Sequence, residues 1–191
     1  LVHDHISYDT AWLGHRTSGL AFPGDDIDPN LYESLLTLAY IARATTTIRL
    51  GTAVLVLPLR DPRVVARQVI TLQALSGGRC CLGVGSGDYP QEFNAMQVPY
   101  DQKAALTREY MAALATLLPG GRVDFEGPTI KVEGGAFFPR VTPVPLMMGG
   151  GIRNNPRSGE PELFEPPLRT LAQWGHGWIP EGPAEIVAAG A

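Results

Sequence analysis

With 191 residues, the chain is long enough for one domain with a substantial core. Its 15 basic and 19 acidic residues give a formal net charge of -4, so electrostatics makes no case for nucleic acid or an anionic membrane as the partner. No apolar run approaches the ~20 residues that span a bilayer. The opening Leu1-Val2-His3-Asp4-His5 has no basic leader, and a cytoplasmic location is the expectation. The two cysteines, Cys80 and Cys81, are adjacent in an apolar run and point to opposite faces of a strand. They make neither a disulfide framework nor a zinc site.

Taken in order, Leu1 to Ile6 reads as the end of a strand, and residues 7–27 as a loop rich in Gly, Ser, Asp and aromatics. A loop of that length without periodicity is commonly functional. Asp28-Pro29 reads as a cap and first helical position, with Leu31, Leu35, Leu38 and Ala42 at helical spacing to about Ala44. Ile48 to Leu57 predicts a continuous buried strand. Asp61-Pro62 repeats the cap signal before a helix with Val65, Val69 and Leu72 on one face, which Gly77-Gly78 stops. Arg79 to Val84 is the next strand and runs into Gly85-Ser86-Gly87-Asp88.

Asp101 is the expected cap of a third helix carrying Leu106, Tyr110, Leu114 and Leu117. Residues 123–132 predict a hairpin turning near Gly127-Pro128. Val144 to Met148 is a short strand ending in Gly149-Gly150-Gly151. Residues 152–167 are polar and proline-rich and read as a flexible insertion. Leu168 to Trp174 then reads as a helix, Gly177 to Pro180 as a strand end, and Pro183 to Ala189 as the start of a last helix. Strands alternating with helices imply an α/β fold with a parallel sheet, closed as a barrel or open and doubly wound.

Two blocks are distinctive together. One is Ile48-Arg-Leu-Gly-Thr-Ala-Val-Leu-Val-Leu-Pro58 with Asp61-Pro62; the other is Leu75-Ser-Gly-Gly-Arg79 through Gly83-Val-Gly-Ser-Gly-Asp88. With Tyr89-Pro-Gln-Glu-Phe93, Gly149-Gly150-Gly151 and Gly175-His-Gly-Trp178, they resemble the bacterial luciferase-like monooxygenase family. The resemblance covers residues 1–6 and 29–190 and departs at the insertion after Gly151.

It implies a (β/α)8 TIM barrel that uses FMN or the deazaflavin coenzyme F-420. A full barrel has eight strands and about 250 residues. This chain is therefore expected to be a single luciferase-like domain, incomplete at both ends and holding about strands two to six. The resemblance places His5 and Asp4 at the end of the second strand, beside the isoalloxazine ring. It places a non-prolyl cis peptide at Ala53–Val54, Gly85 and Ser86 along the flavin, and Gly149, Gly150 and Gly151 at the ribityl phosphate. Some relatives carry an Arg where Ser86 stands. Asp4 falls where luciferases have their catalytic His, whereas His5 fits the Asp-His pattern of the deazaflavin enzymes.

His5 is the candidate acid–base group, because imidazole titrates near neutral pH. Tyr89 is a candidate for stacking or hydrogen bonding at the ring. Trp12, Phe22 and Trp178 are candidates for a substrate mouth, and Arg60 and Arg79 for structural charges. Reduced FMN and dioxygen would oxygenate a small organic substrate, with a separate reductase supplying the reduced flavin and a homodimer as the assembly. The alternatives are hydride transfer with coenzyme F-420, and a non-catalytic flavin-binding or association module.

Overall fold

The computed structural model describes Asp4 and residues 32–190. His5, Trp12, Phe22 and the Asp28-Pro29 cap therefore lie outside the described residues. Helix α1 spans Ser34–Ala44, and the Glu33 carboxylate caps it by accepting from the Leu36 N–H at 2.7 Å. It buries Leu35, Leu38 and Ala42 and leaves Leu36 and Tyr40 exposed, one turn apart beside Tyr32.

The strand expected over residues 48–57 is broken in two, β1 (Leu50–Gly51) and β2 (Leu55–Val56). Both pair in parallel with β3 (Cys80–Gly85). Leu50 opposes Cys80 and Leu55 opposes Val84, so five steps along one strand face four along the other. The extra residue is a bulge at 52–54, and it contains the cis peptide Ala53–Val54. A single 3-10 turn, Leu57–Leu59, leads to α2 (Pro62–Leu75). Here the expected cap holds: Asp61 accepts from the Arg63 N–H at 2.8 Å.

Helix α3 (Pro90–Ala95) follows β3 and buries Glu92 and Phe93. The third expected helix, α4 (Lys103–Leu117), is entered through a 3-10 turn, Tyr100–Gln102, so Asp101 sits inside that turn and does not cap it. The hairpin β4 (Gly121–Glu126) and β5 (Lys131–Phe137) docks on α4. Buried Glu109 of α4 accepts from the Thr129 and Ile130 N–H groups and the Thr129 hydroxyl.

Strand β6 (Leu146–Gly149) pairs with β3. The segment expected to be a flexible insertion instead forms an antiparallel ribbon of β7 (Ile152–Asn154) and β8 (Pro161–Leu163). Helix α5 (Glu165–Trp174) starts earlier than the expected Leu168. Strand β9 (Gly177–Ile179) pairs with β6, and α6 spans Ala184–Gly190.

Parallel neighbours therefore follow chain order from β1 and β2 through β3 and β6 to β9, without the reversal of a doubly wound sheet. Among the described residues the outer strands do not meet, so the fold is an incomplete TIM-type barrel. Leu55, Leu82, Val84, Leu146 and Met148 pack outward against Val65, Val69, Met111 and Leu114 of the helices. Alternation turns Gly83, Gly85, Gly149 and Ile179 to the concave face. A Cβ on Gly83 would lie 2.6 Å from Ile179 Cδ1, so the sheet curls enough to bring β9 against β3. Cys80 belongs to the outer core, and burial pushes its thiol up to about 12, which keeps it protonated and unreactive.

No described helix is long and apolar enough to cross a membrane. The end of the sheet opposite the glycine-rich loops is tied by Arg79. Its guanidinium donates to the carbonyls of Ala42, Thr45, Ile48 and Ser76 at 2.7–2.9 Å, which joins the C-terminus of α1 to the α2–β3 turn. Replacing Arg79 with Met strands these carbonyls and should lower stability by about 2 kcal/mol in urea unfolding monitored by circular dichroism.

Candidate functional site

The strand ends β2, β3 and β6 and the loops after them enclose a cavity of about 380 Å³. This is the carboxyl end of the strands, where parallel α/β folds place their ligands. Asp4, Ala53, Val54, Gly85, Ser86, Tyr89, Gly149, Gly150 and Gly151 all line it. Residues nearly 150 positions apart in the chain are thus brought together, including every described residue expected to contact the cofactor, whereas Trp178 is not among the lining residues.

The floor has a specific construction. A Cβ on Gly85 would lie 2.6 Å from one Val54 methyl, and a Cβ on Gly149 would lie 2.7 Å from the other. The Val54 side chain therefore occupies the space that two neighbouring strands leave empty. The bulge at 52–54 aims it there, and the Thr52 hydroxyl fixes the bulge by donating to the Gly83 carbonyl at 2.6 Å. No side chain rises from Gly85 or Gly149, so the surface across the strand ends is flat.

Asp4 reaches the cavity, but the structure changes its expected role. One carboxylate oxygen accepts from Ser34 Oγ at 2.9 Å and Arg60 Nη2 at 2.5 Å. The other accepts from the Val56 N–H at 3.0 Å and Arg60 Nε at 3.3 Å. Both oxygens are engaged, and Asp4 braces α1 to β2; it is not a free ligand. Arg60 also pairs with Glu33 at 3.2 Å, a structural role as expected.

The wall after β3 is held by Lys103, which the sequence reading passed over. Its ammonium donates to the Gly87 carbonyl at 2.8 Å and the Tyr100 hydroxyl at 2.7 Å, and Tyr100 in turn donates to the Asp88 carbonyl at 3.1 Å. Buried Phe93 meets the Tyr100 ring edge-on at 5.1 Å. Gly87, at φ 74°, sits where a Cβ would lie 2.6 Å from Val56 Cγ1. No local signal marks Lys103: its partner is 16 residues away, across α3.

The third wall is the glycine triplet. Gly150 and Gly151 have φ of 90° and 85°. Trp178 was a candidate for the substrate mouth, but its indole N–H donates to the Gly150 carbonyl at 2.7 Å. The Phe164 N–H donates to the Gly151 carbonyl at 2.8 Å, so the ribbon returns to the point where it left. Arg153, Phe164 and Pro167 extend the cavity along that ribbon.

The luciferase-like monooxygenase family model matches residues 2–156 of this chain. The chain belongs to that family. The match ends inside the β7–β8 ribbon, where the sequence resemblance also departs. A 5,10-methylenetetrahydromethanopterin reductase of Methanolobus tindarius is 34% identical over 59% of this chain and 34% of its own length. The coenzyme F420-dependent tetrahydromethanopterin reductase of Methanopyrus kandleri superposes with a TM-score of 0.64 at 24% identity, over 80% of this chain and 45% of that one. The FMN-complexed oxygenating constituent of 3,6-diketocamphane monooxygenase of Pseudomonas putida gives 0.57 at 20% identity, over 70% and 41%. These two structures share the fold. The chain spans 41% of the length of the first mycobacterial relatives it matches.

The packing of Val54 makes a coupling prediction. Gly149→Ala forces Val54 aside and should destabilise by about 1–3 kcal/mol. In the Val54→Ala background the same substitution should cost much less, with a coupling of about 1 kcal/mol or more in a double-mutant cycle. Additive costs would mean that the two side chains do not compete for one space.

Proposed function

We propose that this chain carries the flavin-binding part of a luciferase-like oxidoreductase, with reduced FMN as cofactor and a small organic molecule as substrate. The observation that carries the reading is the floor made by Val54 between Gly85 and Gly149. A planar ring needs a surface without protruding side chains, and this floor supplies one within a cavity of about 380 Å³. The tail of such a cofactor is anionic. Gly150 and Gly151 suit it, because their carbonyls are turned to other partners while their N–H groups donate to no described atom.

When bound, reduced flavin supplies the electrons for dioxygen chemistry. The chain's own part is to position and to exclude water. Val54 supports the ring face, and the Lys103–Tyr100 clamp keeps the Ser86–Asp88 segment against it. Ser86 and Tyr89 are placed to contact the ring or substrate. His5 is the acid–base group in this reading, holding or releasing a proton near neutral pH. Delivery of reduced flavin by a separate reductase and assembly as a homodimer belong to the same proposal. Hydride transfer with coenzyme F-420 is the second reading, supported by the 34% identity to a methylenetetrahydromethanopterin reductase and by the fold shared with a coenzyme F420-dependent tetrahydromethanopterin reductase.

Purified chain titrated with FMN and with coenzyme F-420 should perturb the absorbance of one of them. FMN with NADH and a flavin reductase should then give oxygen uptake coupled to substrate oxygenation. His5→Gln should retain binding and lose about 100-fold or more of coupled turnover. A chain that binds neither coenzyme refutes this reading and supports a non-catalytic module.

A further inference from the structure

The cavity has two chemically different sides. Ser86, Asp88 and Lys103 line it after β3, whereas Ile152, Phe164, Pro167 and Ile179 line it beside the β7–β8 ribbon. The apolar side is assembled from the ribbon, the start of α5 and the end of β9. Phe164, Pro167 and Ile179 lie beyond residue 156, where the family match stops. The floor of Val54, Gly85 and Gly149 thus falls inside the family pattern, and most of this wall falls outside it.

Phe164 is held from three directions. Its N–H donates to the Gly151 carbonyl at 2.8 Å. The Arg153 guanidinium lies over its ring, 4.5 Å from the centroid. Pro166 and Pro167 follow it in the first turn of α5 and restrict the backbone there. Arg153 is fixed in its turn: it stands opposite Glu162 in the ribbon register, and its Nε donates to Glu162 Oε1 at 3.0 Å. The second Glu162 oxygen accepts from Asn155 Nδ2 at 2.6 Å. A wall ordered in advance loses little further entropy when a ligand packs on it.

The cation also changes what the ring prefers. An aromatic ring has a negative face and a positive edge, and a cation on one face draws π density towards itself. The edge becomes more positive and the opposite face poorer in electrons. Such a ring favours an electron-rich aromatic neighbour over a saturated ring of similar size. Net charge does not dominate this side, because Arg153 pairs with Glu162 and Glu181 has an interaction of its own.

We propose that Phe164, backed by Arg153, is a specificity-determining residue, and that the wall it forms with Ile152, Pro167 and Ile179 takes an uncharged, electron-rich aromatic substrate of the phenol class. This rests on reading the cavity as the site of a flavin-dependent enzyme, and it names the class of the small organic substrate.

The test uses phenol and cyclohexanol, an aromatic and a saturated ring of similar size, in ligand-observed NMR titrations with and without saturating FMN. The wild-type chain is compared with Phe164→Leu, with Arg153→Met, and with Tyr40→Ser, which alters an exposed α1 residue outside the cavity lining. The wild type and Tyr40→Ser should prefer phenol by about three- to tenfold. Phe164→Leu should lose that preference through weaker phenol binding, with cyclohexanol unchanged. Arg153→Met, which keeps the ring and removes the cation, should narrow it. FMN should neither displace phenol nor bind more weakly to Phe164→Leu. A wild type without the preference overturns the proposal, as does a Phe164→Leu or Arg153→Met variant that keeps it in full. Displacement of phenol by FMN also overturns it, by giving the wall to the cofactor. A wild type that shows the preference but binds no FMN defeats the flavin reading and leaves the aromatic wall standing.

Discussion

The cavity depends on one steric fit, the Val54 side chain lodged between two glycines on adjacent strands. Interiors are packed tightly enough that one methyl group decides whether such a fit exists. Gly85 and Gly149 can carry no side chain while Val54 is there, and Val54 gets there because the bulge at 52–54 shifts the register between β1 and β2. The same fit leaves the strand ends flat, which links core packing directly to ligand shape.

Around that fit, polar contacts fix the loops without filling the cavity. Lys103 holds the loop after β3, Trp178 and the Phe164 amide hold the glycine triplet, and Asp4 with Arg60 ties α1 to β2. Each contact engages a backbone carbonyl or a carboxylate of a residue that lines the cavity.

Much of this was legible from residue order. The Asp61-Pro62 cap, the Val65–Val69–Leu72 stripe and the Gly77-Gly78 stop are local signals with local causes, and they place α2 correctly. The glycine-rich strand ends marked the cavity, and the family resemblance supplied the cis bond at Ala53–Val54. The break within 48–57 was not legible, because an apolar run looks the same whether or not it bulges. The ribbon at 152–163 was missed because its prolines and charges suggested an irregular segment. Its order comes from cross-strand contacts between Arg153, Glu162 and Asn155, which depend on the turn that brings them together. The Lys103 clamp and the neutralised state of Asp4 are likewise products of distance in space.

Hydrogen–deuterium exchange with and without FMN tests the central claim most directly, that the ends of β2, β3 and β6 form one flavin platform. The account predicts simultaneous protection of peptides covering residues 52–56, 84–89 and 148–153, with the β4–β5 hairpin unchanged. Protection confined to one of these segments, or none in any of them at saturating FMN, would contradict it.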